Sequence, residues 1–178
     1  MKTVKQKEKE SYEVLKEKFG YKNRLAAPRL AKVSINVGTG SGMKKDKHRN
    51  ELVMDRISKI TGQKASIRGA KQSIASFKIR QGDQVGVSVT LRGLQMYSFL
   101  DKLFNIAIPR TKDFRGLDVK SVDNIGNITL AVKEHTIFPE ATDEELKDVF
   151  SFAITIVTTS KNKAEATEFF RCIGVPFK

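Results

Sequence analysis

A chain of 178 residues, 39% hydrophobic and 30% charged, is long enough to bury a core of its own as one domain. Its 33 Lys and Arg against 20 Asp and Glu leave a net charge of +13, and the pI of about 9.9 points to a polyanion such as nucleic acid. No apolar run reaches the roughly 20 residues that cross a bilayer, the first ten residues lack the apolar middle of a signal peptide, and the single Cys172 excludes an internal disulfide; a cytoplasmic protein with no membrane partner is expected.

Residues 1–20 read as a helix, with Val4, Tyr12, Val14, Leu15 and Phe19 set in a Lys/Glu-rich run and Gly20 as its left-handed cap. The apolar stripe is thin, so residues 1–18 form a basic N-terminal helix or arm on a single domain spanning 1–178. Arg29 to Val37 alternates, with Val33, Ile35 and Val37 on one face and Lys32, Ser34 and Asn36 on the other, which predicts a strand buried on one side. The turn Gly38-Thr39-Gly40-Ser41-Gly42 and the basic run Lys44 to Arg49 follow. A helix then buries Leu52, Val53, Ile57 and Ile60 and stops at Gly62.

Two strands are expected to flank the hairpin-like turn Gln81-Gly82-Asp83-Gln84. The second places Val85, Val87, Val89 and Leu91 inward and Gly86, Ser88, Thr90 and Arg92 outward. A helix from Leu94 to Ala107 presents Leu94, Tyr97, Leu100, Phe104 and Ala107 and is expected to end before Pro109. The segment Pro109 to Ile125 has little periodicity, and a long loop of this kind usually carries function. Strands return at Ile128–Lys133 and Phe152–Thr159. The last helix starts at Asn162, with Glu165 at the capping-box position, and ends at Gly174. These elements predict an α+β fold: a single mainly antiparallel sheet with helices packed on one face and a polar opposite face.

Such a free face suits RNA, because amide and hydroxyl groups bond to base edges or 2′-hydroxyls while cations sit on phosphates. Asn36 and Thr90 project from it, beside Lys32 and Arg92. The stretch Ala70 to Gly82 offers Lys71, Lys78 and Arg80 to a phosphate backbone, and Phe77 is either a ring that stacks on a base or a core ring. The glycine turn fails as a dinucleotide or phosphate loop: Met43 stands where the third Gly belongs, and no acid follows about 20 residues on. Neither His48 nor His135 has partners at metal-ligand spacing, Cys172 reads as a packed hydrophobe, and Asp143, Glu144, Glu145 and Asp148 read as a charged helix or turn face. No enzyme, cofactor, metal or small-molecule substrate is expected. The alternative from another class is a nucleotide-using enzyme built on Gly38–Gly42.

The chain closely resembles the family of bacterial large-subunit ribosomal protein number five, the universal 5S-rRNA-binding proteins. The resemblance runs from Phe19 to Phe177. It is carried by Pro28-Arg29-Leu30 with Ile35-Asn36-Val37-Gly38; by Ile60-Thr61-Gly62-Gln63-Lys64; by the block Lys71 to Arg80; by Val89-Thr90-Leu91-Arg92-Gly93; and by Asn105 to Arg110 running into Asp113-Phe114-Arg115-Gly116-Leu117. Ile137-Phe138-Pro139-Glu140 and Ile154 to Thr159 complete it.

The resemblance implies a structural constituent of the large subunit, located in the cytoplasmic ribosome, with long RNA-contacting loops, that ties 5S rRNA to 23S rRNA in the central protuberance. It implies 5S rRNA contacts at Asn36, Gln63 and Thr90. It also implies a P-site tRNA contact by the loop Ser73 to Arg80, with Ser73, Ala75, Ser76, Phe77, Lys78 and Arg80 as its residues. A loop with Arg110, Lys112, Asp113, Phe114 and Arg115 faces RNA or a protein of the small-subunit head across an intersubunit bridge. The chain departs from the family pattern at Phe150-Ser151-Phe152-Ala153, where Arg-Gly-Met-Asp is common. The departure removes a cation and an anion and adds two aromatics. An alternative within the resemblance is an RNA-binding paralogue working off the ribosome.

Overall fold

The computed structural model describes residues 2–40, 48–112, 114–141 and 149–178. Ser41 and Gly42 of the glycine turn, the basic residues Lys44, Lys45 and Lys47, Asp113, and the acidic residues Asp143, Glu144, Glu145 and Asp148 lie outside the described residues. Among those described, the elements in chain order are α1 (Val4–Phe19), β1 (Leu30–Gly38), α2 (Arg49–Thr61), β2 (Ser66–Gly69), β3 (Gln84–Leu91), α3 (Gly93–Lys102), α4 (Ile108–Arg110), β4 (Ile128–Val132), β5 (Phe152–Thr158) and α5 (Lys163–Ile173). The strands make one five-stranded sheet in the order β2-β3-β1-β5-β4, so the expected α+β class holds. The chain divides into two compact units: Met1–Val33, Leu91–Leu130 and Ile154–Lys178 form the first, and Ser34–Thr90 with Ala131–Ala153 the second.

In the first unit, α1 is opened by a capping box between Thr3 and Gln6 and closed by Gly20 at φ 67°. Val4 and Leu15 are buried while Val14 and Phe19 stay exposed, and the helix packs on α5 and α3. The Val4 N–H donates to Asp101 Oδ1 at 2.7 Å, and Lys18 pairs with Glu168 at 2.5 Å. The N-terminal arm is thus a docked helix of this unit.

The helix after Arg92 departs from its expected face. Met96, Phe99, Leu100, Leu103 and Ala107 are buried, and Leu94 is 71% exposed. Nor does the helix stop before Pro109. A π-helical turn, Leu103–Ala107, leads into α4, and the Ile108 N–H donates five residues back to the Leu103 carbonyl. The wider turn admits Pro109 where a regular ladder would demand an N–H that proline lacks. The capping box expected at α5 is also absent: the Asn162 side chain makes no cap bond. Instead Glu165 is buried, and its carboxylate accepts the Lys161 N–H at 2.9 Å and the Tyr21 hydroxyl.

In the second unit, α2 buries Val53, Ile57 and Ile60, leaves Leu52 half-buried, and ends at Gly62 with φ 69°. It also buries Arg56, whose Nη1 lies 3.0 Å from His135 Nε2. The His135 ring stacks on Phe150 with centroids 4.2 Å apart and planes 3° apart, and Phe152 packs near both Phe150 and Phe138. The two aromatics of the departure from the family pattern are therefore core residues of this unit. β2 pairs antiparallel with β3, Ser66 opposite Ser88 and Arg68 opposite Gly86.

The strand expected just before Gln81 is not formed. Ala70 to Gly82 is a loop closed at its base by Ala70 N–H to Asp83 O, 2.8 Å, and Gly82 N–H to Ala70 O, 3.0 Å. Polar side chains there compete for the backbone: Asp83 Oδ2 takes the Arg80 N–H at 2.7 Å and Ser73 Oγ the Gln81 N–H at 2.9 Å. Lys78, at φ 54°, turns the chain left-handed, which no strand can follow.

Candidate nucleic-acid interface

The second unit carries a continuous polar sheet face, built by period-two alternation on three neighbouring strands. On β1, Ile35 and Val37 point into the core, so Ser34 and Asn36 point out. On β3, Val87 and Val89 are buried and Ser88 and Thr90 look the other way, half-exposed. β2 adds Ser66 and Arg68. The Arg68 Nε donates to Ser88 Oγ at 2.7 Å, and the Ser66 hydroxyl to the Ser88 carbonyl at 3.1 Å.

Gln63 directly follows the cap of α2. The αL cap at Gly62 turns the chain so that the Gln63 amide donates to the Thr90 carbonyl at 3.2 Å. The Gln63 N–H lies 3.3 Å from Thr61 Oγ1, which fixes the residue's backbone as well. Asn36 is exposed, with its amide nitrogen 3.5 Å from Ser34 Oγ. Two of the three expected recognition residues thus touch directly, and the third stands on the neighbouring strand's outward side. In the first unit, Lys32 is half-buried on β1 and Arg92 is exposed ahead of α3.

Close strand packing holds this face in place. A side chain at Gly86 would bring its first carbon to 2.8 Å from the Val37 carbonyl oxygen, so only glycine fits. Beyond β1, the Thr39 and Gly40 N–H groups both donate to the Val85 carbonyl, at 3.0 and 3.1 Å. The described half of the glycine turn is thereby engaged in closing the strand end.

The loop Ala70 to Gly82 exposes Ser73, Ala75, Ser76, Lys78 and Arg80. Phe77 is 64% exposed, which excludes the core reading of its ring. In the first unit, Arg110, Lys112 and Arg115 are exposed and Phe114 is half-buried. The end of that loop is pinned, since the Leu117 N–H donates to Pro176 O at 2.7 Å and the Lys178 N–H to Leu117 O at 3.0 Å. Gly116, at φ 90°, has the Lys178 nitrogen 2.9 Å from where a side chain would begin.

Sequence reasoning missed Ser66 and Arg68. The signal was the serine-apolar-arginine alternation just before Gly69, only four residues long and without a buried partner to reveal its period. Cys172 is half-buried, and burial pushes its thiol pKa up, as for a packing residue. His48 is exposed with Nδ1 3.2 Å from Glu51. No group of three or more His, Cys, Asp or Glu able to hold a metal occurs among the described residues.

Residues 23–80 match the family model for ribosomal protein L5, and residues 84–177 match the model for the C-terminus of the same ribosomal family. The chain belongs to the ribosomal L5 family. Among curated L5 relatives, the large ribosomal subunit protein uL5 of Heliobacterium modesticaldum is 47% identical over 162 residues, 91% of this chain and 89% of that one. The uL5 of a Thermoanaerobacter species is 46% identical over 170 residues, covering 96% and 94%. That of Thermotoga maritima is 44% identical over 177 residues, covering 97% and 94%. As an L5-family protein, the chain is a structural constituent of the large subunit of the cytoplasmic ribosome and not an enzyme.

Proposed function

We propose that the polar sheet face of the second unit recognises 5S rRNA through Asn36, Gln63 and Thr90, and that the protein links this RNA to 23S rRNA in the central protuberance. Lys32 and Arg92 supply phosphate contacts, and Arg68 joins them. The loop around Phe77, Lys78 and Arg80 meets P-site tRNA. The loop Arg110 to Arg115, of which Asp113 lies outside the described residues, faces the small-subunit head at an intersubunit bridge.

The observation that carries the reading is the bond from the Gln63 amide to the Thr90 backbone carbonyl, 3.2 Å, on a strand whose inward residues Val87 and Val89 are core. Uncharged donors and acceptors fixed at short spacing match one RNA shape, whereas mobile cations match any polyanion. Thr90→Ala is expected to weaken 5S rRNA binding by about 1–3 kcal/mol at fixed salt, the cost of one lost hydrogen-bonding group in an interface. A salt titration against 5S rRNA and a scrambled control reads it. Equal affinity of the native protein for both RNAs would remove the claim of recognition.

A further inference from the structure

The first unit holds a groove of about 330 Å³ that the reading above leaves without a role. Lys5 and Lys9 of α1, four residues apart and therefore on one helix face, line it together with Arg24 and Arg29 from the segment between α1 and β1. All four are exposed, and among the described residues none is ion-paired. Like charges one helical turn apart repel, so an anion in the groove relieves a standing strain on α1.

The one acid lining the groove is Glu8, and structure already claims it. Its Oε1 accepts the Leu30 N–H at 3.1 Å and its Oε2 the Tyr97 hydroxyl at 2.6 Å. Burial, and then the bond to Glu8, push the Tyr97 phenol well above its usual range, so it remains a donor. Glu8 thus fastens α1 to β1 and α3, and its lone pairs are not turned on the four cations.

We propose that this groove binds the sugar–phosphate backbone of a second RNA segment, distinct from the one read by the sheet face, so that each unit carries its own RNA contact. The proposal rests on the reading that the protein joins two RNAs. Four cations around one acid with both oxygens engaged complement a run of phosphates, and no base-reading amide is needed there.

The test uses the full chain in two variants, Lys5→Glu with Lys9→Glu, and Arg24→Gln with Arg29→Gln; the arginine pair serves if the lysine pair melts early. Filter binding is measured against 23S rRNA and 5S rRNA over a range of salt. Tenfold or greater loss on 23S rRNA is expected, with a salt dependence shallower by about 0.9 per lost phosphate contact, and 5S rRNA affinity within about twofold. Equal loss on both RNAs, or no loss on 23S rRNA, overturns the groove assignment. Thr90→Ala in the same assay separates the two readings. If it leaves 5S rRNA binding intact while the groove variants lose 23S rRNA, the sheet reading fails and the groove stands.

Discussion

The sheet face and the loop Ala70 to Gly82 belong to one unit and one stretch of chain, yet they hold their side chains by opposite means. On the sheet, Asn36, Ser88 and Thr90 alternate with Ile35, Val87 and Val89, so each polar group is fixed by an apolar neighbour in the core. In the loop, Phe77, Lys78 and Arg80 are exposed, and the backbone is tied by the side chains of Ser73 and of Asp83 just beyond it, and by the Ile74–Ile79 bridge. The sheet presents a pattern and the loop presents reach. A surface that must discriminate needs fixed spacing, since each misplaced donor loses its bond and keeps its desolvation cost. One that meets a passing partner tolerates adjustment.

Removing what lies beneath the pattern has the largest expected effect. Ile35 is fully buried directly before Asn36. Ile35→Ala is expected to cost about 2–5 kcal/mol, from lost burial and the cavity left behind. Urea unfolding measures it. The matching change in the loop, Ile79→Ala, removes a half-buried side chain and should cost well under half as much. Comparable losses would mean that the loop is as much part of the core as the strand, and the contrast would collapse.

A smaller effect tests spacing rather than burial. Gly86→Ala places a carbon 2.8 Å from the Val37 carbonyl, so β1 and β3 must separate locally. Overpacking of this kind costs about 1–3 kcal/mol. The sharper expectation is a loss of 5S rRNA selectivity even where the protein is fully folded, because Asn36 stands beside Val37. Unchanged selectivity in the folded variant would show that the distance between β1 and β3 does not matter for recognition.

The same contrast explains what could be read from the sequence. β1 and β3 were legible because strict alternation of β-branched and polar residues has one structural meaning, and Gly20, Gly62 and Gly174 marked helix ends because each takes a positive φ. The register of α3 was not legible. Apolar residues fill so many positions from Leu94 to Ile108 that two faces fit equally well, and the π turn at Leu103–Ala107 shifts the register midway. Arg56 and His135, 79 residues apart, meet only through folding, and no local pattern announces a buried arginine. For the site, Asn36 and Thr90 followed from alternation. Gln63 followed only from family resemblance, because a residue just past a helix cap has no periodicity, and its bond to Thr90 spans 27 residues.

The smallest expected effect lies in the loop backbone. Lys78 is the one described residue other than glycine at positive φ, 54°, and its N–H donates to the Ala75 carbonyl at 3.0 Å. An L-residue held left-handed costs on the order of 1–2 kcal/mol, while glycine gives back roughly 0.5–1 kcal/mol through the entropy of the unfolded chain. Lys78→Gly should therefore leave the protein about 0.5 kcal/mol more stable, a rise of a few degrees or less in Tm. It should also weaken tRNA binding in a salt-dependent way, because a cation is lost from an exposed position. The two readouts moving in opposite directions is the signature of strain kept for function. If Lys78→Gly lowers Tm instead, the left-handed turn is not strained in this setting, and the loop holds its shape by packing, as the sheet does.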